Sequence, residues 1–300
     1  MTEPLLSVVI PTYQRPALLV ACLQSLAQQD YPRERFEVIV VDDGGCLDET
    51  SLNAQFAAQF DLTLIRDTHG GPGTARNTGA RHARGTWLYF VDDDCQLMPD
   101  MLTMLATRFE RHPNAAIAGA CADAHPRNVW SAASQAQLDA VVSYYNRGPD
   151  HATSCAGSHW AVPAALFRTL GGYDVRFLNS EDRDVVDRWL TSGHTLVYAP
   201  ELVVTHLHPH TFRQLWQRNV HYGRGAWQYA EVRRSQQHGA PRFDPGFYAH
   251  LLSYPFRVRH AFRVRLLAGL ILARMAYSYG YFAARFKASR RQQPDGGRSC

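Results

Sequence analysis

Several features that define other protein classes are missing from this 300-residue sequence. Its six cysteines contain no CxxC pair, which excludes a zinc ribbon and argues against a disulfide scaffold. Fixed-period repeats, coiled-coil heptads and the GxGxxG and GxxxxGKS/T phosphate loops are all absent, so dinucleotide and P-loop chemistry are not supported. The N-terminus carries an acid and too short an apolar run for a signal peptide. We therefore expect a globular protein in a reducing, cytosolic compartment.

Acidic residues are almost absent from the C-terminal part of the chain. Residues 247–300 hold 10 basic residues and one acid, Asp295, whereas residues 1–246 hold 21 basic and 26 acidic residues. This division predicts an acidic body and a basic C-terminal region that meets an anionic surface. Because the body is acidic and no recognition motif is present, we expect no nucleic-acid partner.

The pattern of apolar residues predicts an α/β fold. Short Val/Ile/Leu runs alternate with segments of helical spacing, and this alternation favours a Rossmann-like, mostly parallel sheet with helices on both faces. The predicted strands lie at 6–10, 36–41, 62–65, 87–91 and 115–122, and the segments TLVYAP (195–200) and LVVTHL (202–207) are strand-like. The predicted helices lie at 16–29, 48–59, 73–84, 131–145, 163–170, 181–192 and 211–236.

Two of the predicted strands end in acids. FEVIVV runs into Asp42-Asp43, and WLYFV runs into Asp92-Asp93-Asp94. Ligands bind at the carboxyl ends of parallel strands, so both acidic groups are expected at one edge of the sheet. Aspartate also favours turns, and this alternative stays open for Asp42-Asp43. Three successive carboxylates repel one another, and they persist best beside a cation that could also neutralise a diphosphate.

Five ordered segments over about residues 6–210 carry a resemblance to a known family. They are SVVIPTYQRP (7–16), VIVVDDGG (38–45), GGPGTARNTGARHARGTWLYFVDDDC (70–95), GGYDVRF…SEDRDVVDRW (171–189) and VVTHLH (203–208). The sequence resembles glycosyltransferase family 2, which implies the GT-A fold, a nucleotide-sugar donor and inverting transfer. We accordingly expect a catalytic domain over 1–210, with a nucleotide-binding part to about 122 and an acceptor part from about 123. A helical region would follow over 211–300, with a disordered end over about 289–300.

The resemblance assigns donor-binding roles to residues at matching positions. Residues 11–13 would line the nucleoside pocket, and Asp43 would hydrogen-bond the base. Asp92 would face the ribose or the metal, and the role of Asp93 is open. The full set of expected donor-binding residues is Pro11, Thr12, Tyr13, Arg15, Asp43, Arg76, Asn77, Asp92 and Asp93.

The resemblance also implies a metal site and a catalytic base. Asp94 would be the principal ligand of Mn²⁺ or Mg²⁺ together with Asp92, and His206 or His208 would complete the site. Carboxylates suit either ion, and an imidazole favours Mn²⁺. Asp182 would take the proton of the acceptor hydroxyl. Acids in the first turn of a helix are also favoured by the helix dipole, and without the resemblance we would prefer that explanation for Asp182.

The C-terminal region admits two interpretations. Arg274 interrupts its apolar run, which disfavours a membrane-spanning helix. In one continuous helix Arg259, Arg263, Arg274 and Arg285 fall within a sector of about 80°. This predicts a monotopic contact with anionic lipid, and the alternative is a helical pair packed on the catalytic domain with its arginines in water.

The sequence therefore predicts a metal-dependent inverting glycosyltransferase that uses a UDP-sugar. Its acceptor would be a hydroxyl of a glycan or of a lipid-linked intermediate, and its location would be cytoplasmic and peripheral at the inner face of the cell membrane. Two alternatives are a sugar nucleotidyltransferase, which would release pyrophosphate, and a catalytically silent, membrane-docked protein of the same fold.

Overall fold

In a computed structural model, the apolar runs of the sequence become strands of one eight-stranded sheet. The structure describes residues 5–146, 148, 152–177, 179–207, 210–236, 244–258 and 262–292. For residues 291 and 292 it describes only the backbone. The strands are β1 (Leu6–Thr12), β2 (Phe36–Asp43), β3 (Asp61–Asp67), β4 (Trp87–Val91), β5 (Cys95–Leu97), β6 (Ala116–Asp123), β7 (His159–Pro163) and β8 (Leu196–His206).

The sheet is mixed, with the strand order β3-β2-β1-β4-β7-β6-β8-β5. The first four strands in this order are parallel, and so is the β6–β8 pair. Strand β7 runs antiparallel to both of its neighbours, and β5 runs antiparallel to β8. The predicted mostly parallel sheet is confirmed, and the antiparallel pairings are an addition that the apolar runs did not reveal.

Ten α-helices accompany the sheet in the described residues. They are α1 (Pro16–Ala27), α2 (Glu49–Phe56), α3 (Pro72–His82), α4 (Met101–Arg111), α5 (Val129–Tyr145), α6 (Ala164–Thr169), α7 (Glu181–Thr191), α8 (Phe212–Ser235), α9 (Pro245–Arg257) and α10 (Arg263–Gln292). Side chains alternate along β1, so Val8 packs with α1, α2 and α4 on one face and Val9 packs with α3, α6 and α7 on the other. Helices therefore cover both faces, as predicted. Helix α4 and strands β5 and β7 were not predicted.

The chain divides into two compact units. The sheet unit comprises Met1–His125 and Val141–His208, and the helical unit comprises Pro126–Ala140 and Pro209–Cys300. Helix α10 continues to Gln292, so the end that we expected to be disordered from about 289 is helical as far as the structure describes it. Residues 293–300 lie outside the described residues.

Helices α8 and α10 pack closely in the helical unit. A Cβ atom at Gly223 would overlap the carbonyl oxygen of Tyr277, and one at Gly280 would overlap that of Val220. Because the obstructing atoms belong to the backbone, a side chain cannot rotate away to make room. Two glycines therefore set the distance between the two helices.

We predict that Gly223→Ala lowers the free energy of unfolding by about 2 kcal/mol, because overpacking against backbone outweighs the better helix propensity of alanine. Guanidinium unfolding followed by circular dichroism measures the change. Ser278→Ala, at an exposed position of α10, is the matched control and should be nearly neutral. Equal stability of Gly223→Ala and the wild type would contradict this packing.

Candidate active site

Three adjacent parallel strands end at the edge of the sheet where the candidate site lies. Strands β2, β1 and β4 are neighbours in the sheet. Strand β2 ends at Asp43, β1 ends at Thr12, and Asp92 directly follows β4. Pro11 is buried within β1. The strand-end acids predicted from the sequence thus share one edge of the sheet.

Asp93 is the buried member of the three-acid run. Its carboxylate accepts a hydrogen bond of 2.6 Å from Thr12 Oγ1 and pairs at 2.5 Å with Arg15 Nη2. Burial raises the pKa of Asp93 to about 7, although Arg15 and Thr12 partly offset this effect. Burial alone would lower the pKa of Arg15, but the neighbouring aspartates raise it above its usual value. Asp93 therefore joins β1 to the acidic run, which gives the residue whose role was open a structural task.

Asp94 and His206 come together because β5 pairs with β8. Cys95 lies opposite His206 in the antiparallel register, and the Leu207 N–H donates to the Asp94 carbonyl at 2.9 Å. Ligand atoms of Asp94, Cys95 and His206 lie within 4.8 Å of one another. A carboxylate and an imidazole suit Mn²⁺, so Asp94 and His206 fit a divalent cation. Burial raises the pKa of the Cys95 thiol, which makes this residue a weaker ligand than the other two. His208, the other histidine considered, lies outside the described residues.

Arg76 connects the two ends of the site. From α3, its guanidinium contacts Asp92 Oδ1 at 2.6 Å and Glu181 Oε1 at 3.1 Å. Asp92 is thus held by an arginine, and its predicted contact with a metal stays a prediction. Arg76 is only 4% exposed. Burial alone would lower its pKa, but Asp92 and the other neighbours raise it above the usual range of arginine.

Asp182 lies one residue beyond Glu181, in the first turn of α7. A Cβ atom at Gly157 would lie 2.6 Å from Asp182 Oδ2, so only glycine leaves room for this carboxylate. Burial raises the pKa of Asp182 above its ordinary value and that of Glu181 to about 7, with the charge of Asp182 contributing to the latter. A carboxylate with a raised pKa is a stronger proton acceptor, which suits the role predicted for Asp182.

Asp43 anchors the loop before α3. Its carboxylate accepts hydrogen bonds from the backbone N–H groups of Gly70 and Gly71, at 2.7 and 2.9 Å, and lies 2.9 Å from His69 Nδ1. The His69 ring stacks on Tyr13 with a centroid distance of 4.2 Å. The two glycines therefore make the turn into the helix, and a hydrogen bond from Asp43 to a base stays a prediction.

Several other polar residues of the sheet unit have structural partners. The Asn77 amide bonds to both the N–H and the carbonyl of Tyr173, so its predicted contact with the donor stays a prediction. His159 is a core residue between the Tyr89 hydroxyl and the Leu202 carbonyl, and burial lowers its pKa to about 4. The Asp184 carboxylate pairs with Arg188 four residues later on the same helix.

Three site residues were missed by reasoning from the sequence. Cys95 belongs to a strand of three residues, too short to predict from its pattern. Glu181 is one of several acids in the first turn of α7, a pattern that the helix dipole favours without any functional site. No sequence motif indicates His69, because its place in the site results from stacking on Tyr13, a residue distant in the sequence.

Comparisons with solved structures define the class of fold. Mannosyltransferase PcManGT from Pyrobaculum calidifontis, in complex with GDP-Man and Mn²⁺, matches 98% of this chain and 82% of its own at a TM-score of 0.60 and 21% identity. Staphylococcus aureus TarS 1–349, in complex with UDP-GlcNAc, matches 96% of this chain and 92% of its own at a TM-score of 0.56 and 17% identity. The fold is therefore GT-A, as the resemblance implied.

The sequence comparisons identify the family. The model described as "Glycosyl transferase family 2" matches residues 7–170, more than half of the chain. The chain belongs to this family. The PGL/p-HBAD biosynthesis glycosyltransferase of Mycobacterium bovis is 33% identical over 215 residues, which cover 69% of this chain and 75% of the relative.

Other curated relatives match over a shorter part. An uncharacterized glycosyltransferase of Haemophilus influenzae is 40% identical over 111 residues, covering 37% of this chain and 36% of the relative. The poly(ribitol-phosphate) β-N-acetylglucosaminyltransferase TarS of S. aureus is 32% identical over 108 residues, covering 35% of this chain and 19% of the relative. The chain thus spans about a third or less of the length of these two relatives.

We expect the buried Glu181 to make the stability of the protein depend on pH. Glutamate ordinarily titrates near 4.5, whereas burial raises the pKa of Glu181 to about 7. Between these values the folded protein keeps a proton that the unfolded chain releases, so the free energy of unfolding falls as pH rises. We predict that Glu181→Gln reduces the fall between about pH 5 and about pH 7.5 by about 2 kcal/mol.

Urea unfolding of metal-free protein at both pH values measures this effect. A smaller fall remains in Glu181→Gln, because burial also raises the pKa of Asp93 to about 7. Glu49→Gln replaces a side chain that is 48% exposed and should keep the full wild-type dependence. An unchanged pH dependence in Glu181→Gln would show that Glu181 does not cause it.

Proposed function

We propose that the protein is an inverting glycosyltransferase that moves a sugar from a nucleoside diphosphate sugar, most simply UDP-linked, to a hydroxyl of a glycan or lipid-linked acceptor. The observation that carries the proposal is the placement of Asp182 beside the Arg76–Asp92 pair, with the Asp94–His206 cluster in the same unit. Family membership supports the transfer of a sugar. The nucleotide sugars bound by PcManGT and TarS support the donor class.

In the proposed reaction, Asp182 accepts the proton of the acceptor hydroxyl while its oxygen attacks the anomeric carbon. The bond from that carbon to the diphosphate breaks in the same displacement, which inverts the anomeric centre without a covalent intermediate. A divalent cation bound by Asp94 and His206 would supply charge neutralisation for the leaving diphosphate. Arg15, beside Asp93 and Asp94, adds a fixed positive charge at the same place.

The proposed location is the cytoplasmic side of the cell membrane. Five cysteines within the described residues are free thiols, which is typical of a reducing compartment.

The names of two relatives support the proposed acceptor class. One is a glycosyltransferase of PGL/p-HBAD biosynthesis, and the other is a poly(ribitol-phosphate) β-N-acetylglucosaminyltransferase. We also propose that residues 123–210 of the sequence contribute to acceptor binding, as expected from their place after the nucleotide-binding part.

Asp182→Asn should lower kcat by a factor of about 10²–10⁴ with little change in donor KM, because it removes the proton acceptor and keeps the shape. Release of nucleoside diphosphate from UDP-GlcNAc, UDP-glucose and GDP-mannose with Mn²⁺ measures the rate, and NMR of the product gives the anomeric configuration. Asp187→Asn, on the same helix, should retain activity. Pyrophosphate as the product, or a fully active Asp182→Asn, would refute the proposal.

Asp94→Asn and His206→Ala should each weaken Mn²⁺ binding by a factor of about 10² or more, because the first removes the negative charge of a ligand and the second removes a ligand atom. Electron paramagnetic resonance of free Mn²⁺ measures binding without the need for turnover. His112→Ala, at the end of α4, should bind Mn²⁺ like the wild type. Full turnover in EDTA, or unchanged Mn²⁺ affinity in Asp94→Asn, would exclude this metal site.

A further inference from the structure

Helix α10 exposes a continuous row of apolar side chains. Val264, Ile271, Met275, Tyr279, Phe282 and Phe286 are between 45% and 71% exposed, and Ala268 is exposed in the same row. Their spacing of three, four and seven residues places them on one side of the helix. The row is about 33 Å long. We call these seven residues the α10 apolar stripe.

The opposite side of α10 is already used. Leu266, Leu270, Ala273 and Ala276 are at most 1% exposed, and Gly280 packs against α8. The helix is therefore apolar on two sides, and its packing within the helical unit needs only one of them. Single exposed apolar residues are ordinary on protein surfaces, but an unbroken row of this length marks a contact site.

Positive charge borders the stripe on both sides. Over residues 263–290 of α10, for which side-chain exposure is described, the exposed cations are Arg263, Arg265, Arg285, Lys287 and Arg290. At 100° per residue they lie about 60–120° from the centre of the stripe. The sequence contains no acid between residues 245 and 292. Two copies of the stripe pressed together would bring cations against cations, so the charge favours an anionic partner over a second copy of the chain.

Arg274 does not belong to this charged border. Its guanidinium donates to Gln137 Oε1 at 2.7 Å and lies 4.5 Å from the centroid of the Tyr277 ring. Burial lowers the pKa of Arg274. Arg274 keeps its place in the predicted helical sector, but the prediction that its side chain faces lipid or water is wrong, because it is buried against these partners. Arg263 and Arg285 are exposed as expected, and Arg259 lies outside the described residues.

We propose that the α10 apolar stripe docks into the interfacial region of a membrane that carries anionic headgroups, with the helix lying along the surface. Residues Arg263–Arg290 are long and apolar enough to cross a membrane by length and composition. However, lipid around the whole helix would require α10 to leave α8 and expose Arg274 to hydrocarbon. Tyr279 suits the interface, and the bordering cations suit phosphate headgroups. The proposal that this surface docks on a membrane does not depend on the transfer reaction proposed above.

The test is sedimentation of the full chain with vesicles of phosphatidylcholine containing about a third of phosphatidylglycerol, in about 0.05 M and about 0.5 M salt. Met275→Ser/Phe282→Ser should weaken binding about 100-fold, because it removes two inserted side chains. Arg285→Gln/Arg290→Gln should weaken binding about 20-fold at the lower salt concentration. Met98→Ser/Val175→Ser and Arg33→Gln/Arg111→Gln, at exposed sites of the sheet unit, are matched controls that should bind normally.

Absence of binding to these vesicles in low salt would overturn the proposal, as would normal binding by Met275→Ser/Phe282→Ser. Self-association of the wild type that this double variant abolishes, without vesicle binding, would assign the stripe to a second copy instead. Retention on membranes after an alkaline carbonate wash would indicate a spanning helix and also contradict the proposal. Circular dichroism of every variant should match the wild type, since the substituted side chains are exposed.

Discussion

The candidate site depends on the two ion pairs that the Arg76 guanidinium forms with Asp92 and Glu181. Five carboxylates, those of Asp92, Asp93, Asp94, Glu181 and Asp182, gather near one edge of the sheet, and mutual repulsion would drive them apart. Arg76 pairs with one carboxylate after β4 and with another at the start of α7, although these are 89 residues apart in the sequence. Arg15 pairs with two more. The remaining excess of negative charge is the electrostatic reason why this site suits a cation.

The position of Arg76 depends in turn on the motifs around it. Asp43 receives two backbone N–H groups of the loop before α3, which fixes where that helix begins. Asn77 bonds to both polar backbone groups of Tyr173, which ties the same helix to the turn before α7. Residues that the family resemblance assigns to the ligand thus also hold one another. A substitution at one of them would disturb binding and architecture together, so a loss of activity alone would not identify its role.

The sequence predicted what is encoded locally. The apolar runs of β1, β2 and β4 and the acids that follow them are continuous in the chain, so both the strands and the shared edge could be predicted. The meeting of Asp94 with His206 could not be predicted, because it depends on the pairing of β5, which is three residues long, with β8. The paired residues Cys95 and His206 are 111 residues apart in the sequence. Glu181 is a similar case: helix-start acids are common, and only the fold shows that this one lies against a buried arginine.

Helix α10 shows a different limit of inference from sequence. The helical period locates the sides of a helix, but when two sides are apolar it cannot tell which one packs inside the protein. In α10 the side that carries Gly280 packs inside the protein, because this glycine allows close approach to α8. Arg274 follows from that choice: once this side turns inward, its guanidinium must find partners there, and it does so in Gln137 and the Tyr277 ring. The arginines that remain exposed then border the α10 apolar stripe. Water does not favour an exposed apolar row, whereas an anionic lipid surface can accept the apolar side chains in its interface and the arginines at its phosphate headgroups.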